Sequence, residues 1–300
     1  MPTTTTSVLA DTIPTVIEEA RFTEQYKEVL SKLCWRINKP LHDGSTINLP
    51  YFGTVSANAL SEGVDMVSPQ AMTDTNVQLT PAEVGAQILL TYKLARDNQE
   101  DIIRAAGRIL GNAMVAKREG DLAGQLDDAT TSLGAAGQAL TLGEISAAWA
   151  LLSGNALSAG GPAPKPYVMV HHPFVLLDLV DVFTPLLSTT SAGTESVGGA
   201  VADDVLRNHT IGRLFGMTVY ESGNIARTLV SGVAYDSKGG VFASGRGGGL
   251  VLATAKEWEV RPQDDESLRA TELNVVGEYA VGEYLSGWIV ELFNDATAPA

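Results

Sequence analysis

The sequence predicts an α+β chain, and three observations carry that prediction. One segment, residues 98–126, has the apolar spacing of a single very long helix. Two extended segments flank a polar stretch of about twenty residues, the pattern of a long hairpin. From residue 211 onward, short apolar β-prone runs alternate with glycine-rich reversals.

The first dozen residues, "MPTTTTSVLADT", are polar and threonine-rich and read as loose or extended. Over 13–35, Ile17, Phe22, Tyr26, Val29, Leu30 and Leu33 fall on one helical stripe, with Pro14 near its start. "GSTINLPYFG" (44–53) reads as a strand, 55–75 as a loop of small and polar residues, and 76–97 as a second alternating segment. In the long helix, Asp97 or Asn98 serves as the cap, and Glu100 and Asp101 sit at the positive end of the dipole. Ile102, Ala106, Ile109, Ala113 and Met114 form the expected apolar face. At 1.5 Å per residue such a helix spans roughly 40 Å.

Residues 141–155 read as a helix opened by a capping box, Thr141 with Glu144. A Pro/Gly linker is expected over 160–166, then a buried strand, "YVMV", and a helix with Pro173 in its first turn. A polar loop (188–199) and a short apolar helix near 200–208 come next, then "MTVYES" as a strand. "VSGVAYD", "GGVFASG" and "LVLATAKEWEVRPQ" read as further strands, and 271–294 as a long extended close. No fixed-period repeat is present.

With 20 basic and 35 acidic side chains the formal net charge is −15, which argues against a dedicated nucleic-acid binder. The imbalance lies beyond residue 40: residues 1–40 hold five of each sign, leaving 15 basic against 30 acidic. Charged residues are only 18% of the chain, a composition suited to burying surface against partners. The single cysteine, Cys34, lies between Leu33 and Trp35 and reads as a buried thiol. The start lacks the basic and apolar regions of a secretory leader, and no eighteen apolar residues run together, so a soluble protein with no membrane partner is expected.

No motif specifies chemistry. "SGRGGGLVLAT" lacks the Lys-Ser/Thr of a phosphate loop. Gly245 and Gly247 fit the first two positions of a dinucleotide fingerprint, but Leu250 occupies the third and a strand follows, so the stretch reads as a chain reversal. His171 and His172 are adjacent in an extended segment and point to opposite faces, which separates them as metal ligands; His172 fits as the residue entering the following helix. His42 and His209 stand alone. Asp264-Asp265-Glu266 reads as a solvated loop, with a cation site as the alternative. Glu278 and Glu283 are candidate ion-pair partners for Arg104 or Arg108. No catalytic, cofactor-binding or metal residue is therefore nominated, and the expectation is a protein that is not an enzyme and carries no cofactor.

The order of the pieces carries a resemblance. A loose N-terminal arm, a protruding hairpin, a very long helix, and a central region with "VMVHHPFVLLDL" and "GRLFGMTVYES" are followed by glycine-rich turns and a final "EYAVGEYLSGWIVELF". Across roughly residues 15–294 this resembles the major capsid protein of tailed bacteriophages, with the Hong Kong 97-type fold. The resemblance implies an N-arm at 1–41 and an extended E-loop hairpin at 42–92. It implies a peripheral domain with the long spine helix at 93–135 and 250–294, and an α/β axial domain at 136–249. It implies self-assembly into pentamers and hexamers of an icosahedral shell around a phage DNA genome held only non-specifically. Implied partners are further copies of the chain, a separate scaffolding protein and a portal, with a decoration protein as an additional candidate. The implied location is the virion, with assembly in the host cytoplasm.

One departure is specific. Some relatives weld subunits through an E-loop lysine, but residues 43–92 contain none, so no such weld is expected. Two other readings stay open at this level: an encapsulin-type nanocompartment shell, marked by an inner pocket for a cargo peptide, and an acidic α/β enzyme, marked by a concave pocket with convergent polar groups.

Overall fold

The computed structural model describes residues 28–39, 44–63, 65–66, 69–97, 101–156, 160–188, 212–232 and 234–299. The stripe ahead of residue 28, the helix cap at Asn98, the polar loop 189–199, the helix expected near 200–208, His42 and His209 lie outside the described residues.

Two sheets organise the chain. The first has the order β1-β11-β12-β4, built from Trp35–Asn38, Leu250–Asp265, Ala270–Glu283 and Ala82–Thr91. The second has the order β5-β13-β10-β6-β8-β7: Ser132–Gly134, Ile289–Asp295, Ala234–Ala243, Tyr167–His171, Met217–Glu221 and Arg213–Leu214. β9 (Arg227–Ser231) pairs with the free part of β10. A separate two-stranded ribbon joins β2 (Ile47–Phe52) to β3 (Asp74–Leu79).

The long helix is α3, Asp101–Asp127, preceded by the short helices α1 (Leu30–Leu33) and α2 (Tyr92–Asp97). Its buried stripe is Ala106, Leu110, Met114, Leu122 and Leu126, spaced by four residues or multiples of four. The expected face is therefore rotated: Ala106 and Met114 are inside, whereas Ile109 and Ala113 are exposed. Arg118 and Glu119 occupy the stripe where an apolar side chain would have marked it, and both are buried.

The C-terminal half of α3 bridges the two sheets. Leu122, Ala123 and Leu126 pack in one cluster with Val168, Val170 and Phe242 of the larger sheet and Leu250, Leu252 and Tyr279 of the smaller one. Its N-terminal half packs Ala106, Leu110 and Met114 against Leu90, Leu273 and Val275. The other face of the larger sheet carries α4 (Leu142–Ser153) and α5 (Pro173–Ser188), with Ile145, Leu152, Val175 and Leu179 fully buried. The expected capping box on α4 forms: Thr141 Oγ1 accepts from the Glu144 N–H, and Glu144 accepts from the Thr141 N–H.

Several expectations change: within the segment expected as a helix over 13–35, Leu30–Leu33 is helical and Trp35 opens β1, and "VSGVAYD" is divided between β9 and β10; three further changes have a reason in the packing. The segment 76–97 is not one strand of a hairpin. Pro81 has no N–H to give a ladder, and after Thr80 and Pro81 the chain changes partner, from β2 to β12; Tyr92–Asp97 is helical. Residues 160–166 are not a free linker. Ala163 is buried, its N–H bonds Leu152 O, and Gly161 O accepts from Trp288 Nε1 at 3.0 Å. Finally, "GGVFA" continues the strand begun at Ala234. Gly239 and Gly240 sit mid-strand because Val170 O and Val290 O approach to 2.5 and 2.9 Å of where a Cβ would stand.

Candidate assembly surfaces

The β2–β3 ribbon is fixed at its root and bare at its tip. At the root, Leu49 and Leu79 are buried against Val251 and Ala253 of β11. Tyr284, just after β12, stacks edge-on with Trp35 and Tyr51 at 5.3 and 6.4 Å, and its hydroxyl donates to Pro50 O. Gly282 leaves the space that Leu79 fills, since a Cβ there would lie 2.5 Å from Leu79 Cδ2.

Beyond Phe52 the chain runs to Asp74 without regular structure among its described residues. It is tied across by Gly53 N–H to Thr73 O at 2.7 Å, and by a two-way bridge between the Gln70 side-chain amide and the Ser56 backbone, both bonds 2.8 Å. Of the twelve large apolar side chains exposed among the described residues, five lie here: Phe52, Val55, Leu60, Met66 and Met72. Met72 is 73% exposed, which places it in water unless another surface covers it. So many exposed apolar side chains on one segment make it a candidate interaction surface. Composition concealed it, because these residues are scattered among small and polar neighbours; their spacing matches neither strand nor helix.

Other exposed apolar side chains belong to the larger sheet: Leu229 and Val230 on β9, and Phe215 in the β7–β8 turn. Phe215 adopts φ 50, a conformation that L side chains seldom take. Neither feature was marked by the sequence pattern.

The groups that could have carried chemistry are committed to the fold. In the glycine-rich reversal the N–H groups of Gly245, Gly248 and Gly249 bond Leu33 O, Gly245 O and Ala243 O, so they do not converge on an anion. Gly245 and Gly247 have φ 84 and 73, as a reversal requires.

His171 is fully buried. Its Nε2–H donates to Leu292 O and its Nδ1 accepts from the His172 N–H, so the ring is neutral and saturated. Burial lowers its pKa from 6.5 to about 3, and burial together with Arg227 lowers that of His172 to about 4. His172 Nδ1 accepts from Phe174 N–H at the start of α5, the entering role expected of it. Cys34 is buried, and desolvation pushes its thiol up to about 12.

In the acidic run, Asp265 accepts from the Ser267 and Leu268 N–H groups and Asp264 from the Thr271 hydroxyl, so the run closes the β11–β12 turn. No cluster of three or more metal-ligating side chains occurs among the described residues. Glu283 Oε1 is buried without a hydrogen-bond partner, and burial and then Asp128 raise the pKa of this carboxyl. The side chain of Arg104 lies outside the described residues.

In two open concavities, of about 470 and 620 Å³, the one Lys or Arg lining each is already engaged. In the first, the Arg227 guanidinium lies over Phe174 and Tyr235 at 4.7 and 4.9 Å and bonds Ala296 O. In the second, Lys39 donates to Gly44 O. No helix among the described residues is long and apolar enough to cross a membrane.

The model of the phage capsid protein family matches residues 75–290, from the second strand of the ribbon to the start of the final strand. This chain belongs to that family. The fold of this capsid protein is of the Hong Kong 97 type, as solved structures with the same architecture show. A protein of Mycobacterium phage Che8 is 18% identical, with a TM-score of 0.67 over 89% of this chain and 91% of that one. The capsid of Ralstonia phage GP4 is 9% identical, with a TM-score of 0.67 over 92% and 93%. The acid-stable capsid of Helicobacter pylori bacteriophage KHP30 is 12% identical, with a TM-score of 0.66 over 86% and 87%. No curated protein sequence matches. The chain is thus a structural protein of the phage virion, a subunit of its shell.

Proposed function

We propose that copies of this chain form pentamers and hexamers that close into an icosahedral shell around phage DNA. The observation that carries this reading is the β2–β3 ribbon, whose root is packed and whose apolar tip is bare. An arm built this way is completed by a neighbouring copy. Contacts spread over arms and sheet faces suit an obligate assembly, and heterologous contacts that close by rotation give rings. We place the E-loop arm proper at 44–79 within the segment 42–92, and β4 with the peripheral sheet that it extends. The N-arm is placed at 1–41, the rest of the peripheral domain at 93–135 and 250–294, and the axial domain at 136–249. The largely exposed stretch 222–232 of that domain faces the centre of the capsomer; the adjoining 234–240, expected there as well, lies within the sheet as part of β10. The net charge of −15 suits a wall that encloses DNA without adhering to it. Assembly takes place in the host cytoplasm on a separate scaffolding protein and starts at a portal; a decoration protein is a further partner. The role asks for no catalysis.

The test is to replace residues 55–71 by a short Gly/Ser turn, sparing the Gly53–Thr73 bond. The shortened subunit is expected to fold with an unchanged melting temperature and to form no shells when co-expressed with the scaffold. Intact particles from this variant contradict the proposal.

A further inference from the structure

Residues 28–36 cross the spine helix at one place and are held there by two adjacent side chains. Glu119, with no exposed surface, receives four hydrogen bonds from this segment. Its Oε2 accepts the N–H groups of Val29 at 3.1 Å and Leu30 at 2.8 Å; its Oε1 accepts the Ser31 N–H at 2.9 Å and the Ser31 hydroxyl. Arg118, beside it, donates from Nη2 to Glu28, and Glu28 also faces Arg36 at 3.8 Å.

The same guanidinium lies flat over the ring of Trp258, 4.3 Å from its centroid. Trp258 sits where β11 breaks register with β12, between Lys256 and Glu259. Across the ladder stands Gly277, and a Cβ there would come within 2.5 Å of Trp258 Cδ1. The indole therefore occupies space that only glycine leaves. Arg118 Nε is buried without an acceptor, so the guanidinium is held by Glu28 and Trp258 and by no bond of its own Nε–H.

We propose that Arg118 couples the segment 28–31, where it lies on the spine helix, to the register break of the β11–β12 hairpin. Trp258 and Glu28 each hold the guanidinium where the other needs it, so a shift of either loosens the other, and the coupling is reciprocal. A shift that moves Trp258 frees Arg118, and the Glu119 clasp then holds the arm alone. The coupling is a property of the single subunit. Its use, to move arm and hairpin together where subunits meet at different angles, rests on the shell reading above.

The test is hydrogen exchange at the Leu30 and Ser31 amides in the full-length unassembled subunit. Gly277→Ala displaces the indole without touching the arm, and is expected to speed exchange at both amides about tenfold. Gly282→Ala, on the same strand but against Leu79, is expected to leave them unchanged. In an Arg118→Leu background, where the link is already cut, Gly277→Ala is expected to add nothing. Exchange within twofold of the parent in Gly277→Ala, with Trp258 fluorescence altered, overturns the proposal; so does a further acceleration in the Arg118→Leu background. Trp258→Leu carries the same prediction and serves if Gly277→Ala does not accumulate. Because the readout is intramolecular, its failure is distinct from a failure of shell assembly.

Discussion

The seven-stranded sheet and the β2–β3 ribbon are made from similar residue types and come to opposite ends. In the sheet, Met169, Val170, Val241 and Phe242 have no exposed surface, and α4, α5 and the spine helix cover both faces. In the ribbon, burial stops at Leu49 and Leu79, and Val55, Leu60, Met66 and Met72 stand in solvent. One region satisfies itself within a single chain. The other leaves its apolar side chains uncovered within the single chain. Apolar content alone does not separate the two; the length of chain that the two-stranded ladder extends beyond its sheet does.

That contrast can be broken most directly at the centre of the sheet. Phe242→Ala is expected to cost about 3–5 kcal/mol of unfolding free energy in urea titration, since the cavity lies between two packed layers. The same experiment on Met72→Ser is expected to show no change in stability, with loss of particles in the assembly assay. A large stability loss at Met72 would mean that the tip packs on its own subunit.

Acid should also distinguish the regions. His171 and His172 are held neutral in the fold, with pKa values of about 3 and 4, against 6.5 when unfolded. The unfolded chain therefore binds more protons below pH 6.5. The stability these rings contribute is complete above that value and falls as pH drops toward 4. A pH series of melting temperatures on the unassembled subunit checks this, and His171→Gln is expected to flatten the slope. A smaller effect is expected at the helix cap: Thr141→Ala should cost about 1 kcal/mol. The smallest is on the ribbon's chemistry. With no lysine in 43–92, assembled particles should dissolve in hot detergent to single 31.6 kDa chains; a ladder of linked subunits on a gel would contradict that.

Much of the fold was legible because local signals agree with it. The spine helix, the Thr141–Glu144 box, the buried "YVMV" strand and the proline-started helix after it all form as their residues dictate. The misreadings share a cause, which is tertiary contact overriding local pattern. Arg118 and Glu119 interrupt the helix stripe because they hold the arm. Gly239 and Gly240 look like a break but mark close approach of neighbouring backbone. Pro81 divides what periodicity read as one strand. The assembly surface was legible only as an oddity, a hairpin too long for its domain. The apolar side chains along it obey no periodicity; on the proposed reading, the surface that sets their spacing belongs to a neighbouring copy.

The central claim is that residues 53–73 are completed by a neighbouring copy. The measurement that tests it most directly compares amide hydrogen exchange across this segment in unassembled subunits and in purified particles. Fast exchange is expected in the subunit and strong protection in the particle, confined to the segment and to the surface that receives it. Equal exchange in both states would contradict it, and would leave the ribbon without the partner its exposed apolar surface calls for.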